Sequence, residues 1–183
     1  MKNRSESSRN FAQWFSFVTI RLMHDNRLLE KFVHPAEALR NLGLREGDRV
    51  FEPGCGPGFY TVGAAKAVGK SGEVVSFDVN PYACKFAREK VQKLSLGQVR
   101  VENHNAADSG LGDRTIDFAF VVGVPHVVGG EHNLMDELGR VVKPGGTMAY
   151  RPGRGNKARL VEAAVKRGFR LETTSRRFLV FRK

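Results

Sequence analysis

A glycine-rich turn and an acidic residue beyond it carry the clearest chemical signal in the sequence. The turn is Glu52-Pro-Gly-Cys-Gly-Pro-Gly58, and Asp78 follows twenty residues after Gly58. Glycines let the backbone turn sharply and let a ligand lie against the main chain without meeting a Cβ atom. A carboxylate at the end of the next strand can accept hydrogen bonds from the ribose hydroxyls of a nucleoside. Together these residues predict a nucleoside-binding site.

The spacing of the glycines distinguishes this turn from other nucleotide-binding turns. Dinucleotide sites use the spacing G-x-G-x-x-G, which frames a pyrophosphate, whereas Gly54, Gly56 and Gly58 occupy every second position. Glu52 precedes them, and an acid beside the turn suits a cationic ligand but would repel a pyrophosphate. The pattern resembles motif I of class I S-adenosylmethionine-dependent methyltransferases, whose cofactor carries a cationic ammonium and sulfonium and no phosphate. A tight turn without a ligand and a dinucleotide site are the alternatives.

The elements that position these residues alternate between strands and helices along the chain, which predicts a parallel sheet with right-handed crossovers. The last two strands are too close in sequence for a crossover, so they must be antiparallel. Helices are predicted over 10–23 and from Asp25, and a third begins at Pro35 and ends near Gly43. Pro144-Gly-Gly146 ends the helix at 131–142 before a strand begins at Thr147. The predicted strands are 49–52, 73–78, 98–103, 115–122, 147–151, 169–174 and 178–182, and the other predicted helices are 59–68, 81–93 and 156–167.

Two further segments extend the resemblance over residues 34–183. Asn105 to Asp117 is similar to the family's stretch between the third and fourth strands, and Arg140 to Thr147 to its segment before the fifth strand. The resemblance implies an α/β fold with a Rossmann-like seven-stranded sheet in the order 3-2-1-4-5-7-6, the last strand antiparallel. The small type-11 members, akin to the ubiquinone and menaquinone methyltransferases, are the most similar branch.

The resemblance also implies that S-adenosylmethionine is the cofactor. In the family an acid at the place of Asn105 bonds the adenine amino group, and the amide oxygen of Asn105 can accept the same hydrogen bond. The residues implied to bind the cofactor are Glu52, Gly54, Cys55, Gly56, Gly58, Asp78, Val79, Asn105, Ala106 and Val122.

The methyl acceptor is expected at the carboxyl ends of the fourth and fifth strands, where ligands of open α/β sheets bind. His126 follows the fourth strand and is the candidate general base, because an unperturbed histidine titrates near neutral pH. Packing or helix capping is its alternative role. Arg151 and Arg154 follow the fifth strand and could pair with an anionic acceptor. The [DN]-P-P-[YFW] motif of base N-methyltransferases is absent, which argues against adenine or cytosine amines as acceptors.

An aromatic N-terminal segment supplies the remaining candidate contacts. Residues 1–47 are predicted to form a helical cap or lid over a methyltransferase domain at 48–183. Within the cap, Trp14, Phe32 and His34 are the candidate contacts to the acceptor and the methionine end of the cofactor. Two alternatives remain for this segment: its aromatic helix packs on the core, or it lies on an anionic membrane surface.

Positive charge is concentrated near the C-terminus. The net charge is +11, and residues 140–183 carry 13 Lys or Arg against 2 Asp or Glu. Such a surface attracts nucleic acid, anionic lipid or an acidic small molecule, while a solvated basic face is the plain alternative. A small or lipid-like acceptor is favoured, because aromatic and basic residues lie in separate segments rather than interleaved as in nucleic-acid grooves. RNA, a protein side chain and an inert cofactor-binding role are the alternatives.

Several classes of protein are disfavoured by composition. The sequence has no run of eighteen apolar residues for a membrane span and no apolar segment with a cleavage site near Met1. Two cysteines are too few for a disulfide framework or a four-cysteine zinc site, and no metal is expected. The predicted location is the cytoplasm, with peripheral contact to a membrane as an alternative, and the oligomeric state is left open.

Overall fold

Seven strands form one mixed sheet with helices on both faces. The structure is a computed structural model, and it describes residues 34–124, 127–152, 157–175 and 177–183. The strands are β1 (Arg49–Pro53), β2 (Glu73–Asp78), β3 (Val99–Asn103), β4 (Ile116–Val122), β5 (Val142–Arg151), β6 (Arg170–Thr174) and β7 (Leu179–Arg182). The helices are α1 (Pro35–Asn41), α2 (Phe59–Val68), α3 (Pro81–Lys93), α4 (Gly130–Val141) and α5 (Lys157–Val165).

The strand order is β3-β2-β1-β4-β5-β7-β6, which confirms the predicted topology. Strands β1 to β5 pair in parallel, and β7 pairs antiparallel with both β5 and β6. The order of the strands reverses direction between β1 and β4, and a crevice at the carboxyl ends of the strands is the usual ligand site at such a reversal.

The two faces of the sheet bury separate apolar clusters. Along β4, Phe118 and Phe120 pack toward α1 and α2, while Ala119 and Val121 pack toward α4 and α5. This alternation follows from the two-residue period of a strand. Both faces are covered, so the central strands are mostly apolar, although Glu52 of β1 and Ser76 of β2 are buried polar residues within them.

Local capping explains why two helices begin where the sequence predicts. The side chain of Asn80 accepts hydrogen bonds from Tyr82 N and Ala83 N at the start of α3, and Pro81 occupies the first helical position. Helix α2 begins after Gly58, whose φ of +83° ends the preceding turn. Both helices have the predicted bounds.

The segment at 142–146 differs from the prediction. Instead of a helix that ends at a Pro-Gly-Gly stop, α4 ends at Val141 and β5 begins at once. Val142 pairs with Ile116, and the register then shifts before Thr147 pairs with Phe118. Gly145 N donates a hydrogen bond to the carbonyl oxygen of Lys183, the residue that follows β7. This bond holds the irregular stretch against the sheet. A contact between residues so far apart in sequence is not visible in the local pattern.

Of the predicted N-terminal cap, only its last helix lies within the described residues. Helix α1 packs against α2, where a Cβ on Gly63 would come within 2.5 Å of the Pro35 Cβ. The boundary between cap and domain stays a prediction. Among the described helices, none is long and apolar enough to cross a membrane.

Candidate functional site

The glycine-rich turn leads from β1 to α2 through three left-handed glycines. The φ angles of Gly54, Gly56 and Gly58 are +77°, +52° and +83°, values that side chains disfavour. The N–H groups of Gly54 and Cys55 both donate to the carbonyl oxygen of Phe77, at 2.7 and 3.0 Å. The turn is thus held against the end of β2. A Cβ on Gly54 would come within 2.5 Å of the Val124 Cγ2, so the residue type is also required by packing.

Asp78 lies opposite this turn, as its spacing predicts. Its Oδ2 accepts the Gly56 N–H at 2.9 Å, and its Oδ1 accepts the Asn80 N–H at 2.8 Å. Burial raises the pKa of Asp78, and these two backbone hydrogen bonds act in the opposite direction. An ionised carboxylate offers about four lone-pair positions, so both oxygens retain capacity for the hydroxyls of a ribose.

Glu52 lies behind the turn in a small polar cluster. The side chain is 3% exposed, and its Oε2 accepts the hydroxyls of Thr61 and Ser76, both at 2.6 Å. Burial raises its pKa to about 7, although the two hydroxyls favour the charged form. Its Oε1 accepts no hydrogen bond from the described residues. The sequence analysis identified Glu52 but missed Thr61 and Ser76. Hydroxyl residues at buried positions of a helix and a strand were the signal that could have indicated partners for this carboxylate.

The adenine side of the predicted site contains an exposed apolar residue and a loop that is held by hydrogen bonds between its own residues. Val79 directly follows Asp78 and is 43% exposed. The Oδ1 of Asn105 accepts the Ala107 N–H at 3.1 Å, and its carbonyl oxygen accepts the Asp108 N–H. Ala106 is half-buried against the core. Asn105 therefore shapes its own loop, while the second lone pair of its amide oxygen is left for another donor.

A buried carboxylate on α4 anchors this loop. The Oε1 of Glu137 accepts both the N–H and the hydroxyl of Ser109. Arg140 pairs with Glu137 on one side and with Asp113 on the other. The sequence analysis did not identify Glu137 or Ser109, because their contact spans 28 residues of sequence.

On the acceptor side, Val122 and Arg151 lie next to each other at the carboxyl ends of β4 and β5. Arg151 shares a strand face with Ala149, which packs toward α1 and α2. The same cluster includes Tyr60, whose ring centroid lies 6.3 Å from that of Phe120. Tyr60 is an acceptor-side candidate that the sequence reasoning missed.

Of the remaining residues predicted to contact the acceptor, only His34 lies within the described residues. His34 is exposed and directly precedes α1, next to the contact between Pro35 and α2. His126, Arg154, Trp14 and Phe32 lie outside the described residues. Cys55 occupies the turn and is buried, so it offers little surface to a ligand.

These groups fit S-adenosylmethionine. The Asp78 carboxylate suits the ribose hydroxyls, and the exposed Val79 suits an aromatic base. The buried Glu52 has a raised pKa, and a cation placed near it would restore its charge. Within the described part of the chain, no group of three or more His, Cys, Asp and Glu side chains could hold a metal ion.

Comparisons with known proteins agree with this assignment. The family described as "Methyltransferase domain" matches residues 50–146. Proteins named demethylmenaquinone methyltransferase from Bacillus cereus and Bacillus cytotoxicus are 32% and 33% identical to the chain over 111 residues. In both cases the match covers 60% of this chain and 46% of the relative. The chain thus spans about half the length of the curated relatives it matches.

Solved structures show the same fold. A crystal structure of a SAM-dependent methyltransferase from Aquifex aeolicus has a TM-score of 0.74 at 26% identity, covering 91% of this chain and 96% of that one. The geranyl diphosphate C-methyltransferase of Streptomyces coelicolor has a TM-score of 0.66 at 18% identity, covering 75% and 61% of the two chains. The similarity to the Streptomyces coelicolor protein concerns the fold alone. From its motifs, its sheet order and these matches, the chain belongs to the class I S-adenosylmethionine-dependent methyltransferase family.

Proposed function

We propose that the chain transfers the methyl group of S-adenosylmethionine to a small acceptor with an apolar body and an anionic group. The observation that carries the proposal is the pairing of Asp78 with the Gly56 N–H, which holds the turn and leaves acceptor capacity on the same carboxylate. In the sheet, β2 and β4 flank β1, whose end leads into the turn.

Each residue of the cofactor site has a distinct role in the proposal. Asp78 accepts the ribose hydroxyls, Val79 packs on the adenine ring, and Asn105 accepts from the adenine amino group. Glu52 lies behind the methionine end and compensates its positive charge. When bound, the cofactor supplies a methyl group on a sulfonium, which is already a strong electrophile. The main task of the protein is therefore to align the acceptor atom with that methyl group.

The acceptor is proposed to lie over the ends of β4 and β5. Val122 and Tyr60 offer apolar contact there, and Arg151 offers a cation that pairs with no carboxylate of the described residues. The relatives named demethylmenaquinone methyltransferase make demethylmenaquinone the first acceptor to test. His126 remains the proposed base for an acceptor whose hydroxyl, amine or acidic carbon must lose a proton.

A labelling experiment tests the proposal. The full chain is incubated with methyl-labelled S-adenosylmethionine and a cell extract, and the label is followed into lipid, small-molecule, RNA and protein fractions. Label in an organic-soluble product, absent with an Asp78→Ala variant, supports the proposal. Label in RNA or protein would identify one of the alternative acceptors instead. Cofactor binding without transfer to any fraction would indicate an inert binding protein.

Arg151 is tested on the same products. With demethylmenaquinone or the product identified in the screen, Arg151→Gln should raise the acceptor KM and leave the cofactor Kd unchanged. Lys157→Gln, a change at an exposed basic residue of α5, is the matched control and should leave both values unchanged. An unchanged acceptor KM in the Arg151 variant would remove the anionic group from the proposal.

A further inference from the structure

Two cysteines lie together behind the cofactor turn. Cys55 is the residue between Gly54 and Gly56, and Cys84 belongs to the first turns of α3. They are 5% and 0% exposed and share a small buried cluster with Ala87 and Val101. The interaction of each thiol with the other raises the pKa of Cys55 and lowers that of Cys84. Neither thiol has a role in the proposed methyl transfer.

The pair is connected to the cofactor site from both sides. The Cys84 Sγ lies 3.3 Å from the carbonyl oxygen of Asp78 and 3.3 Å from that of Glu102. The carboxylate of Asp78 in turn holds the Gly56 N–H. One residue, Asp78, therefore contacts Cys84 through its main chain and the turn containing Cys55 through its side chain.

We propose that Cys55 and Cys84 form an oxidative modification site, at which a disulfide joins the cofactor turn to α3 and weakens cofactor binding. A disulfide requires the two sulfurs to approach to about 2.05 Å, and both cysteines are free thiols in this structure. Either the turn or α3 must move to achieve this. The turn and α3 are closely packed, since a Cβ on Gly58 would lie 3.1 Å from the Ala87 Cβ. Because Asp78 contacts both the turn and Cys84, movement of either element disturbs the bond between Asp78 and Gly56.

The oxidant in this proposal is a hydroperoxide, represented by hydrogen peroxide. One cysteine thiolate attacks a peroxide oxygen, the O–O bond breaks, and the departing hydroxide takes up a proton as water. The second thiol attacks the resulting sulfenic sulfur, the S–O bond breaks, and a second water leaves with the thiol proton. Two thiols and one peroxide thus give one disulfide and two waters.

Cofactor occupancy should control this reaction. The small exposed fraction of the pair belongs to Cys55, which sits on the turn beneath the expected cofactor. A bound nucleoside covers the turn and limits the approach of peroxide. Oxidation is therefore expected mainly in the cofactor-free protein.

The test uses the full chain treated with hydrogen peroxide, with and without S-adenosylhomocysteine. Peptide mass spectrometry under non-reducing conditions should find the two cysteine peptides joined within one chain, and S-adenosylhomocysteine should suppress the cross-link. Calorimetry should show the affinity for S-adenosylhomocysteine falling about tenfold or more, the cost of one charge-assisted hydrogen bond. Dithiothreitol should restore it.

Variants show whether the pair itself is responsible. Cys84→Ala and Cys55→Ser are each compared with themselves before and after peroxide, so that any intrinsic change in affinity cancels. Neither variant should show the dithiothreitol-reversible loss. The proposal is overturned if the cysteines stay reduced, if only links between chains or sulfinic acids form, or if the internal disulfide leaves affinity unchanged. It does not depend on the acceptor, so its failure would leave the proposed transfer reaction intact.

Discussion

The Asp78 carboxylate accepts the Gly56 N–H at 2.9 Å and so joins the end of β2 to the turn that follows β1. A second bond, from Asn80 N to the other oxygen, ties the same carboxylate to the start of α3. The residue expected to recognise the ribose is therefore also the residue that organises the glycine turn. Its replacement should affect both binding and local geometry.

Replacing Asp78 by Ala should weaken S-adenosylhomocysteine binding by about 2 to 4 kcal/mol, because charge-assisted bonds to two hydroxyls are lost. Isothermal titration calorimetry measures the change. Asp136→Ala, which removes an exposed carboxylate on α4 paired with Arg167, is the matched control and should leave affinity unchanged. Equal affinity in the Asp78 variant and the wild type would remove Asp78 from the site.

Glu52 should make the protein less stable as pH rises. Its pKa is about 7 in the folded chain against 4.5 for the free side chain, so between these values the native state binds more protons than the unfolded state. The contribution of Glu52 is then fully present below pH 4.5 and is lost as pH rises to 7, by about 3 kcal/mol. Urea denaturation at pH 5 and pH 7.5 measures this loss.

Glu52→Gln isolates that contribution, because the amide oxygen can still accept the hydroxyls of Thr61 and Ser76. The fall in unfolding free energy between the two pH values should be smaller in this variant than in the wild type. Glu89→Gln, at an exposed position of α3, should retain the wild-type difference. Identical pH dependence in wild type and the Glu52 variant would contradict the raised pKa.

Cofactor binding should release a proton from Glu52. The methionine end of the cofactor is cationic and favours the ionised carboxylate, so affinity should rise as pH increases from 6 through 7. Calorimetry in buffers of different ionisation enthalpy reports the proton directly. Glu52→Gln should bind more weakly and release fewer protons over this range. Undiminished proton release in that variant would assign the effect to another group.

Gly54 should be more sensitive to substitution than another glycine of similar backbone geometry. Gly54 and Gly110 have φ angles of +77° and +64°, but a Cβ meets Val124 only at Gly54, while it meets open space at Gly110. Gly110→Ala should cost about 1 to 2 kcal/mol of stability for its backbone conformation alone. Gly54→Ala should cost more and should also weaken S-adenosylhomocysteine binding. Equal costs in denaturant titrations would show that the turn adapts to the added methyl group.

The contact between Glu137 and Ser109 should control the loop that contains Asn105. Glu137→Ala leaves the buried Ser109 donors without an acceptor, at a cost of about 1 to 3 kcal/mol in unfolding free energy. Ser109→Ala removes the hydroxyl, with its bonds to Glu137 and Leu111 N, but keeps the bond from Ser109 N to Glu137. It should therefore cost less and serves as the milder matched change. Both variants should lower affinity for S-adenosylhomocysteine in the same order. Lost stability with unchanged affinity would show that the anchor serves the fold alone.

Several features were predictable because their causes are local in sequence. Asn80 and Pro81 begin α3 through bonds to the next few residues, and Gly58 begins α2 through its own φ angle. The alternation of strands and helices restricts the sheet to few topologies, and the spacing from the turn to Asp78 places that residue at the carboxyl end of β2. These signals need no knowledge of distant contacts.

Other features depended on where distant segments meet. The pKa of Glu52 follows from its burial against Ser76 and Thr61, and the paired thiols of Cys55 and Cys84 follow from the approach of α3 to the turn. No local sequence pattern predicts this burial or this proximity of the two thiols, because each arises when separate elements pack together. The sequence by itself determined the fold, the turn and Asp78. The tertiary structure decided which of these groups are buried, which lie close together, and which hold one another in place.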